Sequence, residues 1–88
     1  MTDIECIKGL FSQTAALTRD VITKGDDDIS MDLACRFIWY LHGLTAAAKL
    51  VDCTCANDHA IVQEMQDELK QLETKYEERR VKRHETIL

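Results

Sequence analysis

The chain has 88 residues, no proline, three glycines and 45% hydrophobic side chains, which makes one small domain at most, with a thin core of its own. Its apolar content is too high for a disordered tail, and no run of about 18 apolar residues exists to span a membrane. Sixteen acids against eleven bases leave a net charge of −5, a balance that repels nucleic acid and anionic lipid unless one face is locally basic.

The acids and bases are spread along both halves of the chain, so neither half is a charged tail. The opening Met1-Thr2-Asp3-Ile4-Glu5 carries acids where a secretory signal would carry lysine or arginine, and a cytoplasmic location is expected. The cysteines at 6, 35, 53 and 55 are accordingly read as reduced, those within helices acting as small hydrophobes.

Helix formers dominate and turn formers are scarce, which predicts an all-α fold. The first helix is expected over about 3–23. Thr2 and Glu5 have the spacing of a capping box, in which each side chain satisfies an orphan backbone donor of the first turn. Ile4, Ile7, Leu10, Phe11, Leu17, Val21 and Ile22 fall on one side, with Lys8, Ser12, Gln13, Arg19 and Asp20 opposite. Lys24-Gly25 ends the helix with a cation at its carbonyl end and a residue that tolerates left-handed geometry.

Asp26 to Ser30 connect to a second helix over about 30–52, with Asp28 or Ser30 as its cap. The spacing Asp28-x-Ser30-x-Asp32 imitates the start of a calcium loop. It fails at the sixth position, Leu33, where glycine is needed, and at the twelfth, Trp39, where a bidentate glutamate is needed. The expected core stripe of this helix is Leu33, Phe37, Tyr40, Leu41, Leu44, Ala48 and Val51, with Ile38 at its margin. A second apolar row, Trp39, Gly43, Ala46 and Leu50, lies on the far side of the wheel. A helix that is apolar on two sides expects burial on two sides.

A third helix is expected over about 58–83, capped by Asn57 or Asp58, with Ile61 and the seam Val62, Met65, Leu69, Leu72 and Tyr76 in alternating steps of three and four. Continuing that seam would require Arg79 and Arg83, so residues 77–88 are expected to project beyond the bundle, with 84–88 as a frayed tail. The architecture is a single domain, 1–88: a helical hairpin plus one further helix, an antiparallel three-helix bundle completed by dimerisation.

Three constellations could carry function. Cys53-x-Cys55-x-x-x-His59 offers three zinc ligands but lacks a convincing fourth, and its single residue between cysteines is atypical of zinc motifs. The same residues could pair a thiol with a base, yet a short helical bundle has little concavity and no glycine-rich loop, so no enzyme activity and no cofactor are expected. Arg79, Arg80, Lys82 and Arg83, with His84, form the one basic run, but Glu77, Glu78 and Glu85 bracket it.

The third constellation is the apolar surface itself. Exposed tryptophan beside apolar neighbours marks interaction surfaces. The leading expectation is therefore a non-enzymatic interaction protein, a small regulator or adaptor. It would bind itself and another protein through Trp39, Gly43, Ala46 and Leu50, together with the seam Val62, Met65, Leu69, Leu72 and Tyr76. The alternatives are a dimeric nucleic-acid-associated regulator using the basic end, and a small thiol or zinc protein using Cys53, Cys55 and His59.

Overall fold

The computed structural model describes the backbone of residues 3–25, 27–51 and 56–87 and, within the last segment, the side chains of residues 57–82. It contains α1 (Asp3–Lys24), α2 (Asp28–Val51) and α3 (Ala56–Ile87), each packed against the other two. Thr2, Asp26 and the stretch 52–55 lie outside the described residues, and with Thr2 the capping box expected there.

Local chemistry accounts for the helices. Acids stand in the first turn of each, complementing the positive helix end. Asp20–Lys24 at 2.9 Å, Asp32–Arg36 at 3.0 Å and Gln63–Asp67 at 3.1 Å are one-turn pairs that support the exposed faces.

The cap of α2 is Asp27, whose Oδ1 accepts the Ser30 backbone N–H at 2.8 Å, rather than Asp28 or Ser30. At the end of α1, the Gly25 N–H donates to the Val21 carbonyl at 2.7 Å. A side chain at Gly25 would collide with that carbonyl and with Ser30. The glycine is needed for the close approach of the two helix ends, and its backbone lies outside the left-handed region the sequence suggested. α3 starts at Ala56, so Asn57 and Asp58 already belong to its first turn instead of capping it.

Polar contacts between the helices report their directions. Lys8 reaches Glu64 at 3.1 Å, and Arg79 donates to the Gly25 carbonyl at 3.0 Å, which runs α1 and α3 parallel. His42 meets Glu73 at 2.9 Å on the antiparallel α2. The result is an up-down-up bundle 49 Å long and 17 × 16 Å across. A radius of gyration of 14.5 Å, against about 12 Å for a spherical domain of this length, reflects that rod shape. The 32 residues of α3 account for the whole length at 1.5 Å each, and its helix continues through Ile87 rather than fraying from residue 84.

The core is built from Ile4, Phe11, Ala15, Ile38, Leu41, Ala48, Val62, Met65, Leu69 and Leu72. The expected α3 seam is therefore in place. The buried faces of α1 and α2 differ from expectation. α1 buries Ala15 and Thr18, while Leu10 and Leu17 are about half exposed. α2 buries Met31, Ala34, Ile38, Leu41, Thr45 and Ala48, a face turned from the expected stripe by about 80° on the wheel. Leu33 and Tyr40 come to the surface, and Ile38 moves from margin to centre.

Small residues win because α2 must approach two helices at once, and alanine permits the close contact that leucine would hold apart. The two buried threonines satisfy their hydroxyls within their own helices. Thr18 donates to the Thr14 carbonyl at 2.7 Å and Thr45 to the Leu41 carbonyl at 2.8 Å. Among the described residues no buried side-chain polar atom lacks a partner.

Two identical substitutions read out this arrangement. Leu41→Ala should cost about 2–5 kcal/mol by opening a cavity at a fully buried position. Leu17→Ala, at an exposed one, should stay within about 0.5 kcal/mol. Urea unfolding followed by helical circular dichroism measures both.

Candidate interaction surface

The second apolar row of α2 faces outward. Trp39 is 70% exposed and Leu50 87% exposed, with Gly43 and Ala46 exposed between them. On the wheel the row lies about 150° from the centre of the α2 core face. Neither α1 nor α3 wraps far enough to cover it. Tyr40, Leu33 and Ile29 extend the apolar surface along the same helix. The charges crossing it are the Asp32–Arg36 pair, already neutralised, and Lys49 near its end.

A second apolar surface emerges where α1 meets α2. Lys8 and Arg19 turn one flank of α1 toward Glu64 and Glu68 of α3, the Arg19 bond being 2.9 Å. Leu10 and Leu17 sit about 160° around α1 from those cations, on the flank away from α3. Leu33 and Tyr40 occupy the corresponding flank of α2, opposite His42 and its α3 partner Glu73. The bundle thus leaves an apolar flank on the side α3 does not cover. Leu10 and Leu17 were read from the sequence as core, because periodicity alone cannot say how far a neighbouring helix wraps.

Between α2 and α3 runs an open groove of about 420 Å³, lined by Cys35, Trp39, Glu73, Tyr76 and Glu77 among others. His42 is half exposed. It bridges the groove to Glu73 and lies beside Trp39, with ring centroids 5.8 Å apart. Deeper in the groove, burial against α2 and the adjacent Cys35 thiol hold the Tyr76 phenol above its ordinary value of 10.0. On the exposed side of α3, the Arg80 hydrogen bond holds the Glu77 carboxyl below its ordinary value of 4.5.

The remaining sequence candidates fare differently. Val62, Met65, Leu69 and Leu72, expected at a partner seam, are 6% exposed or less and are used within this chain's own core; Tyr76 is half buried beside them. The seam expected to meet a partner is thus occupied within the chain. The bundle needs it because Val62, Met65, Leu69 and Leu72 are half of the large side chains in the core, with Ile4, Phe11, Ile38 and Leu41 the rest.

Cys53 and Cys55 lie outside the described residues, and His59 is exposed on the first turns of α3. Among the described residues no three histidine, cysteine or acidic side chains gather as a metal site. The basic run does not assemble a cationic face over its described side chains. Arg79 donates to the Gly25 carbonyl, Arg80 pairs with Glu77, and Lys82 is exposed beside Glu78 in a shallow hollow. The side chains of Arg83 and His84 lie outside the described residues.

No helix among the described residues is long and apolar enough to cross a membrane. Comparison with protein-family models, with curated proteins and with solved structures finds no match to this chain.

The Tyr76 environment sets an alkaline limit on stability. The fold favours the neutral phenol, so the unfolded chain loses this proton first. The contribution is complete below pH 10 and is lost as pH rises through the raised value. Tyr76→Phe should therefore flatten the fall in stability above pH 10, and tyrosinate absorbance of the wild type should show a component titrating above 10.0 that the variant lacks. An unchanged alkaline profile in Tyr76→Phe would count against this assignment.

Proposed function

We propose that this chain is a non-enzymatic helical interaction protein, a regulator or adaptor that acts as a homodimer and docks another protein through apolar helix faces. The observation that carries this reading is the exposure of Trp39 and Leu50 on a helix whose opposite face is already buried. Water-exposed tryptophan and leucine arranged along one helix favour association, at about 25 cal/mol for each Å² of apolar surface removed from water.

Two features add to it. A dimer that also holds a partner needs apolar area for both, and the exposed Leu10 and Leu17 stand on α1, a different helix from Trp39 and Leu50 of α2. The described pockets are open grooves on the bundle surface, lined largely by α3 residues, a form suited to binding a helix or peptide rather than enclosing a small substrate.

Of the alternatives weighed from the sequence, nucleic-acid binding is weakened by the engagement of Arg79 and Arg80 in contacts within the chain. Zinc or thiol chemistry turns on Cys53 and Cys55, which lie outside the described residues.

Affinity capture from the native cell, with mass identification, tests the proposal. A specific protein should be retained in a salt-tolerant manner, and lost with Trp39→Asp, with Leu17→Asp or with both combined. Both substitutions sit at exposed positions, so helical circular dichroism should stay as in wild type. Capture indifferent to the combined variant, or retention of nucleic acid with steep salt dependence, overturns it.

A further inference from the structure

We infer that the α2 row is the seat of a second copy of this chain, paired antiparallel about a two-fold axis between residues 44 and 45, so that Trp39 packs on Leu50 of the other copy and Gly43 on Ala46. This rests on the reading of the row as a docking face and names its occupant.

The spacing of the row carries the assignment. Trp39, Gly43, Ala46 and Leu50 are separated by four, three and four residues, with large side chains outside and small ones inside. That order reads the same from either end. An isologous contact requires a surface complementary to itself, and an antiparallel copy meets each large group with a large one and each small group with a small one. A parallel copy would match sizes too, Trp39 against Trp39 and Leu50 against Leu50, but would set the two α2 dipoles side by side with like ends together.

Gly43 supplies a second argument. Glycine inside a helix is unfavourable relative to alanine, and a Cβ at Gly43 would meet nothing within 4 Å in this chain. The fold has no use of its own for the missing side chain. Gly9 is equally unhindered, but its helical neighbours Glu5, Cys6, Ser12 and Gln13 are all exposed, and none is a large hydrophobe. Those of Gly43 are Trp39, Tyr40, Ala46 and Ala47, the surface on which another helix would close.

Area and charge fit a copy. The exposed parts of Trp39, Tyr40, Gly43, Ala46, Ala47 and Leu50 amount to at most on the order of 600 Å² per chain, so that burying all of it in two copies would reach about 1,200 Å², the lower edge of specific interfaces. Although each chain carries −5, this stretch of α2 holds no acid from Trp39 to Val51, so like-charge repulsion is not concentrated in the contact. In this register Tyr40 lies two residues off the level of Ala47 of the other copy, on the same flank, and His42 two residues off the level of that copy's Lys49.

Sedimentation equilibrium on the full chain tests the pairing. Wild type should behave as a dimer of 10.1 kDa chains with a measurable dissociation constant. Trp39→Leu and Leu50→Trp should each weaken it by about tenfold or more, and an equimolar mixture of the two variants should pair to within about threefold of wild type, because both Trp–Leu contacts of the antiparallel pair re-form between them. Gly43→Leu should leave helicity intact or higher and yet abolish the dimer.

A dimer weakened by both single changes but not restored in the mixture overturns the antiparallel register. A monomeric wild type with intact helicity overturns self-pairing and leaves the docking-face reading to its own capture test. A dimer that tolerates both Gly43→Leu and Trp39→Asp overturns the row as the seat of the second copy.

Discussion

All three helices pack against one another, and the close approach of the antiparallel α2 to its two neighbours decides which of its surfaces are left outside. α2 has to come near both. It does so with Ala34, Thr45 and Ala48 rather than with its bulkiest residues, and Leu41 and Ile38 fill the space between. Close approach through small side chains lets Phe11 of α1 and Met65, Leu69 and Leu72 of α3 complete the interior. The consequence is geometric. Once α2 turns its small residues inward, Trp39, Tyr40 and Leu50 have only the outside left to them.

Electrostatics reinforces the arrangement without driving it. Lys8–Glu64, Arg19–Glu68 and His42–Glu73 sit at the rims of the helix contacts, exposed enough that each contributes little by itself. Their value lies in orientation. They fix which flank of α1 and which flank of α2 face α3, and so decide that Leu10, Leu17, Leu33 and Tyr40 share the opposite side. The surface of the molecule is thus divided. One side is polar and belongs to α3; the other is apolar and belongs to α1 and α2. An apolar side left in water is a standing free-energy penalty.

Much of this was legible in the residues themselves. The absence of proline, the helix formers and the alternating steps of three and four define three helices, and the α3 seam from Val62 to Leu72 is buried as its periodicity requires. That helix is strongly polar elsewhere, so only one face is available to the core. The outward row of α2 was likewise visible, as apolar residues in excess of what one stripe needs. The rotation of α2 was not. A helix with apolar residues most of the way around offers several adequate stripes, and the most hydrophobic one is not the one that packs.

The sequence by itself therefore determined helix number, the order of the elements, the seam of α3 and the surplus of apolar surface on α2, because these depend on local propensity and periodicity. Tertiary structure decided which alanines and threonines go inside, that Asp27 caps α2, that Gly25 serves close approach, and that Leu10 and Leu17 lie at the surface. These depend on how near three helices can come at once. That distance is set jointly by side chains far apart in the chain, and no single helix carries it.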